Sequence, residues 1–210
     1  MKVVKPDEIA GNIPEPHIVE EDVLDGNVTL QELIILSKLV TRYQPKTIFE
    51  IGTFDGRTTI NLANVAPDDA KVYTLELPRT ELGKTKYPTY EREGFNWKDA
   101  TYIDKEEIGH RYKGKPTEKK ITQLLGDSAT FDFSPYYNKM DFVFVDGSHA
   151  YEYTKNDTEI AFKLLRNGSG IIVWHDYGVW PDVTRFFDEL GIKIPSLNQI
   201  KGTTLVILKK

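Results

Sequence analysis

Residues 141–176 read DFVFVDGSHAYEYTKNDTEIAFKLLRNGSGIIVWHD, and this stretch decides the fold. Asp141–Val145 is apolar after its first residue, as a strand covered on both faces is. Tyr151–Leu165 follows, with Ile160, Ala161, Leu164 and Leu165 forming the inner face of an amphipathic helix. Gly168-Ser169-Gly170 makes a turn, and Gly170–Trp174 (GIIVW) is a second apolar strand. Strand, helix and strand in this order form one parallel crossover unit. The unit predicts an α/β sheet with right-handed connections.

The alternation extends both ways. Upstream, Thr29 with Glu32 three residues later is a capping box. Leu30, Leu33, Ile34 and Val40 continue at helical spacing, and Pro45 marks where that helix has ended. Thr47–Ile51 reads as a buried strand entering a turn at Gly52, Thr58–Val65 as a helix, and Lys71–Leu77 as a strand. A strand at Ile121–Leu125 follows an excursion over 79–120. Downstream, Pro181–Leu190 reads as a helix and Thr203–Leu208 as a last strand. Residues 1–27, rich in Pro, Gly and acids, read as an extended arm, and 28–210 as one domain carrying the insertion 79–120.

Composition excludes several classes. The chain has 210 residues, no cysteine and a net charge of −5. Without cysteine there is no disulfide scaffold, thiolate zinc site or cysteine nucleophile. A nucleic-acid binder is usually basic, so none is expected as partner. No apolar run is long enough for a membrane span, and the first residues hold no signal-like core, so a cytoplasmic location is expected. The charge is uneven. Segment 79–120 holds 11 basic and 8 acidic residues, while the rest is strongly acidic. Tyr87, Tyr90, Phe95, Trp97, Tyr102 and Tyr112 lie in that segment, so it should be partly ordered and pack on the sheet edge or a partner subunit.

In open α/β sheets ligands bind beyond the C-terminal ends of the strands. Those ends carry Glu50-Ile51-Gly52, Glu76, Gly126-Asp127-Ser128, Asp146-Gly147-Ser148-His149 and His175-Asp176. The first turn spaces its glycines as G-x-x-x-G, Gly52 to Gly56, with an acid before it at Glu50. A carboxylate there repels a pyrophosphate and attracts an ammonium or sulfonium. That counts against an NAD(P)-dependent oxidoreductase, which wants G-x-G-x-x-G. Glu76 is placed to accept ribose hydroxyls, and Asp127 an adenine amino group.

The order EIGTFDG, VYTLEL, LLGDS, then DFVFVDGSHAYEYTKNDTEIAFKLLRNGSGIIVWHDY resembles the class I S-adenosylmethionine-dependent methyltransferases. It is most similar to the O-methyltransferase-like subgroup whose fourth strand ends in Asp-Gly-x-His and whose fifth ends in His-Asp. The resemblance covers roughly 30–208. It implies a Rossmann-like, mostly parallel seven-stranded sheet with helices on both faces. It further implies that Glu50, Gly52 and Gly56 shape the site for the methionine part of the cofactor, with Thr53 and Asp55 in the same loop. Glu76 would hold the ribose, Asp127 and Ser128 would border the adenine, and Asp146 would lie near the transferred methyl group. The family's Gly-Gly turn is here Gly168-Ser169-Gly170, and the insertion is longer than the family's usual link.

Methyl transfer to a hydroxyl needs alignment and a lowered acceptor pKa, from a base or a cation. The resemblance places a divalent cation, Mg²⁺ or Mn²⁺, at Asp146 and Asp176, with His175 where an acid or amide often stands. His149 has two readings: general base, or a loop histidine hydrogen-bonded to Asp176. Tyr177 and Trp180 are candidates for the acceptor pocket. The expected partner is a small-molecule or sugar acceptor. An arm such as 1–27 can also exchange between the subunits of a homodimer. A non-catalytic cofactor-binding scaffold is the remaining alternative.

Overall fold

The computed structural model describes residues 1–91, 98–103 and 107–210. Eight strands form one sheet: β1 (Lys2–Val4), β2 (Thr47–Ile51), β3 (Lys71–Glu76), β4 (Ile121–Leu125), β5 (Phe142–Val145), β6 (Ile171–Trp174), β7 (Asn198–Ile200) and β8 (Val206–Lys209). Their spatial order is β1-β7-β8-β6-β5-β2-β3-β4. All pairs are parallel except those of β8, which runs antiparallel to both β6 and β7. The seven-stranded expectation is corrected to eight. Six of the eight are read directly along the sequence; the other two, β1 from the arm and β7 before the final turn, are three residues each, too short to show a period in sequence.

Six α-helices lie among the described residues: α1 (Pro6–Ala10), α2 (Leu30–Tyr43), α3 (Arg57–Val65), α4 (Ala100–Ile103), α5 (Tyr151–Leu164) and α6 (Pro181–Lys193). The capping box forms as read, with Thr29 N–H donating to Glu32 Oε2 at 2.9 Å and Glu32 N–H to Thr29 Oγ1 at 3.3 Å. The period-2 alternation of the strands sorts their side chains into two cores. Ile48, Phe142, Phe144, Ile171 and Val173 meet α2 and α3 through Leu33, Leu36, Leu39 and Leu62. Phe49, Val143, Val145, Ile172 and Trp174 meet α5 and α6 through Ile160, Leu164, Val183 and Phe187. No helix among the described residues is long and apolar enough to cross a membrane.

The arm folds onto its own chain. Asn61 on α3 exchanges hydrogen bonds with the backbone of Val19, accepting from its N–H at 2.8 Å and donating to its carbonyl at 2.7 Å. The fully buried Arg57 guanidinium donates to the carbonyls of Glu20 (2.9 Å), Val28 (2.9 Å) and Glu21 (3.1 Å). The insertion also turns inward. It packs over the strand ends, where Gly109 N–H donates to Phe54 O at 2.9 Å and Arg111 Nε to Asp55 Oδ2 at 2.8 Å. Tyr90 and Tyr112 are buried, Phe95 and Trp97 lie outside the described residues, and Tyr102 packs edge-on against Phe54.

Replacing Arg57 with Leu leaves three carbonyls without their donor. Charge-assisted bonds of this kind contribute about 1.5–3 kcal/mol each before relaxation. We expect Arg57→Leu to lower unfolding stability by roughly 3 kcal/mol and to open the chain before Gly26 to limited proteolysis. An unchanged denaturation midpoint and cleavage pattern would show that the arm is held by other contacts.

Candidate active site

The sheet brings the ends of β2, β3, β4, β5 and β6 to one rim, and a cavity of about 350 Å³ lies over it. Gly52, at φ +98°, closes β2 tightly against the end of β5: a Cβ there would sit 1.9 Å from the Asp146 carbonyl oxygen. Gly56, at φ +87°, caps α3, and a Cβ there would sit 2.7 Å from the Tyr112 ring of the insertion. Gly52 thus serves close approach of two strands, and Gly56 serves docking of the insertion.

Most of the acids read as ligand contacts do line the cavity: Asp55, Glu76, Asp127, Asp146 and Asp176, together with Thr53, Ser128, His149 and His175. Glu50 and Gly56 do not line it themselves but stand behind it, at the two ends of the loop that does. Several lining acids are already engaged. Glu76 Oε2 accepts the N–H groups of Thr53 (2.8 Å) and Phe54 (2.6 Å), so it organises the glycine loop. Asp127 accepts from Lys86 N, Ala129 N and Tyr153 Oη at 2.8–2.9 Å, which fixes the turn bearing Ser128. Asp55 accepts from Asn27 and Arg57 N as well as Arg111, clamping arm to insertion. Trp180 lines the cavity, whereas the Tyr177 hydroxyl turns away to Asp188.

At the β5 and β6 ends two imidazoles lie among four carboxylates. His175 Nδ1 faces Asp146 Oδ1 at 3.0 Å and Asp176 Oδ1 at 3.2 Å, and its Nε2 faces Glu32 Oε2 at 3.3 Å. His149 Nε2 donates to Asp176 Oδ2 at 3.0 Å and Nδ1 to Asp99 Oδ1 at 2.5 Å. Its ring stacks on Trp180, 3.8 Å between centroids and 17° between planes. Burial works to lower the His149 pKa, but the charge and hydrogen bond of Asp176, with those of Asp99, push it up to about 10. Burial likewise opposes protonation of His175, and Asp176 and Asp146 hold it well above the usual histidine range. His149 is therefore protonated at neutral pH with both nitrogens donating. Its contact with Asp176 is the one the loop-histidine reading named, and a base role requires the ring first to give up one of these two protons. Asp146, His175 and Asp176 offer donor atoms that all lie within 4.8 Å of one another, a group able to hold a metal ion.

Glu32, Asp99, Asp25 and Asp157 were not singled out from sequence. Glu32 had a sufficient explanation as a cap, yet its carboxylate also accepts from Thr204 N and Oγ1 at 2.8 Å. Asp99 sits in the insertion with no local signal. Asp25 belongs to the arm, and Asp157 reads as one more polar residue of α5. Among its described residues the cavity is lined by eight carboxylates, those of Asp25, Asp55, Glu76, Asp99, Asp127, Asp146, Asp157 and Asp176, and by no lysine or arginine. Such a wall suits a cationic or hydroxyl-rich ligand and repels a pyrophosphate.

The profile described as "Methyltransferase domain" matches residues 49–177, more than half of the chain. The chain belongs to this methyltransferase family. The match runs from β2 to just past His175-Asp176, so the methyltransferase signature contains the whole strand-end set but not Glu32. No curated protein sequence matches the methyltransferase. Among solved structures it is similar to the O-methyltransferase TomG from Streptomyces achromogenes in complex with SAM, at 21% identity and TM-score 0.59, over 90% of this chain and 84% of that one. It is similar also to the O-methyltransferase from Bacillus cereus in complex with SAH, at 18% identity and TM-score 0.56, over 89% and 84%. A third is the SAH-bound Podospora anserina methyltransferase PaMTH1, at 16% identity and TM-score 0.58, over 89% and 81%. These likenesses are of fold.

Glu50 lies behind the methyltransferase cavity, fully buried, with Oε2 accepting from Thr59 and Thr74 and Oε1 without a partner among the described residues. Burial, with Asp146 and Glu76 nearby, pushes its carboxyl up to about 8 from 4.5, against the two hydroxyl bonds. A raised acid favours folding fully below its unfolded pKa, and that contribution is lost as pH climbs from 4.5 to about 8. Glu50→Gln mimics the neutral form. We expect its melting temperature relative to wild type to rise between about pH 5 and about pH 8.5. An equal difference at both pH values would show that Glu50 ionises as freely folded as unfolded.

Proposed function

We propose that the protein transfers a methyl group from S-adenosylmethionine to a hydroxyl of a small molecule or sugar, with a divalent cation held by Asp146, His175 and Asp176. The observation that carries this reading is the wall of eight carboxylates without a lysine or arginine among the described lining residues. A sulfonium and a divalent cation are both cations, and both are drawn to such a wall. The pyrophosphate of a nicotinamide cofactor is repelled by it. Two imidazoles beside the acids favour chemistry over a passive scaffold.

S-adenosylmethionine supplies a methyl group on a sulfonium that leaves as a neutral thioether. Glu76 keeps one oxygen, Oε1, with only the Leu77 N–H on it (3.0 Å), free to accept from ribose hydroxyls. The loop Gly52–Asp55 borders the methionine part, and Ser128, on the turn that Asp127 fixes, borders the adenine. The acceptor lies at the other end, between Trp180, Val179, Tyr102 and Ile103. With His149 protonated, the groups beside it able to take the hydroxyl proton are the carboxylates of Asp146 and Asp176. His149 holds Asp176 in place, and Glu32 holds the far edge of His175.

Two carboxylates with an imidazole suit Mn²⁺ better than Mg²⁺. A cation supplies charge that lowers the acceptor pKa. The residues fit such an ion on one condition: His175 must give up the proton on Nδ1, the nitrogen that faces both carboxylates. Metal binding then releases a proton. Mn²⁺ affinity should therefore rise with pH, up to about tenfold per unit while one proton is released, and its heat of binding should vary with the ionisation enthalpy of the buffer. Affinity independent of pH would mean His175 is not a ligand.

The direct test is titration calorimetry with S-adenosylmethionine and with NAD, each with and without Mn²⁺. Saturable binding of the first alone is expected. A folded protein that binds no S-adenosylmethionine, with or without metal, overturns the reading. Asp146→Ala and Asp176→Ala should stay folded and lose methyl transfer by a factor of about 10² or more. Full turnover in both would remove them from the chemistry.

A further inference from the structure

Asp99 comes from the insertion, yet its carboxylate is built into the strand-end site. It is buried and makes four contacts. Oδ1 accepts from His149 Nδ1 at 2.5 Å and from His149 N at 3.3 Å. Oδ2 accepts from Ser148 Oγ at 2.5 Å and from Tyr90 N at 2.7 Å. The residue therefore grips two successive residues of the Asp146–His149 loop on one side and the insertion's own backbone on the other. It also starts α4, where the N–H groups of Tyr102 and Ile103 donate to its carbonyl at 2.9 and 3.2 Å.

The consequence passes through His149. Asp99 holds one edge of the imidazole, and Trp180 covers its face. With edge and face both fixed, Nε2 points at Asp176 Oδ2, 3.0 Å away. That contact leaves Asp176 Oδ1 turned toward His175 Nδ1 and the Asp146 side. Asp176 needs the support, since it is a non-glycine residue at φ +73°. We infer that Asp99 is a positioning residue for the cation trio, acting through His149 to set the orientation of Asp176, so that the metal site is complete only when the insertion is docked.

The inference rests on the metal reading above and goes beyond it, because it gives a function to a residue of the insertion that touches none of the three ligands. Partners one shell out from a metal typically contribute 10–100-fold in affinity. The variants are Asp99→Asn, which keeps shape and the Ser148 and Tyr90 contacts but removes the charge on His149, and Asp99→Ala, which removes all four contacts. Mn²⁺ binding is read by the loss of the free-ion electron paramagnetic resonance signal. Melting temperature and S-adenosylhomocysteine affinity are read on the same samples.

We expect Asp99→Asn to weaken Mn²⁺ by about tenfold or more while melting temperature and S-adenosylhomocysteine affinity stay near wild type, with Asp99→Ala weaker still. Wild-type Mn²⁺ affinity in both variants overturns the inference and leaves the metal reading standing. Equal losses of Mn²⁺ affinity, S-adenosylhomocysteine affinity and stability in Asp99→Asn also overturn it, because they show general disruption. Absence of Mn²⁺ binding by the wild-type protein overturns the metal reading and this inference together.

Discussion

Four carboxylates and two imidazoles crowd together at the rim of the sheet, Glu32 and Asp99 buried and the other four half-buried, and each kind offsets the cost of the other. Glu32, Asp99, Asp146 and Asp176 each lose water, and His149 and His175 return hydrogen bonds and charge to all four. An isolated ion in such a place costs several kcal/mol even after relaxation. The network spans α2, the insertion, the ends of β5 and β6, and, through Thr204, the turn before β8. Each element contributes at least one group that bonds to another's, so the rim assembles as a unit. The same balance shows why a cation suits it. With both imidazoles protonated the six groups carry a net charge of −2, and the other lining acids carry no basic partner on the wall.

The remaining strand-end acids also serve the architecture. Glu76 ties down the loop after β2 through two backbone N–H groups, Asp127 ties the turn after β4 to Tyr153 of α5, and Asp55 ties arm to insertion. A carboxylate accepting backbone N–H groups gains strong, short bonds without needing a cation. This is how so acidic a rim can fold without a lysine on its wall. Behind it runs a chain of side-chain hydrogen bonds from Tyr112 to Gln123, Thr53, Thr74 and Glu50. It links the insertion to the buried acid beneath the glycine loop.

The sheet was legible where apolar runs were long enough to show a period. DFVFV and GIIVW, with the helix between them, set the parallel unit, and Thr29 with Glu32 set the start of α2. The strands of the arm and of residues 198–200 were not legible, because three residues have no period and their pairing is purely tertiary. Of the site, the strand-end list brought together Asp146, His149, His175 and Asp176, since topology alone carries strand ends to one rim. Glu50 sits within β2 and faces inward, and Gly56 has a tyrosine ring for its neighbour, so both stand one layer behind the cavity. Asp99 and Glu32 were hidden for opposite reasons. One lies in a segment without pattern, and the other was already explained by a local bond that uses only part of its carboxylate.

These two hidden residues divide the site by origin. The end of the cavity that the proposal gives to the cofactor is built from residues near the strand termini of the central sheet, where the fold leaves little freedom: Gly52 admits no Cβ, and Glu76 is fixed by the loop it holds. The end that the proposal gives to the acceptor is built from segments the sheet does not dictate, with Asp25 to Asn27 from the arm, Asp99 to Ile103 from the insertion, and Val179 and Trp180 after β6. Arm and insertion are fastened to each other at Asp55 and to the core at Arg57 and Gly56. A change in either can therefore reshape the acceptor pocket without disturbing the strands that carry the cofactor residues. The exception is Asp99, which reaches back into the rim through Ser148 and His149, so that the insertion that lines one end of the cavity also braces the strand-end groups.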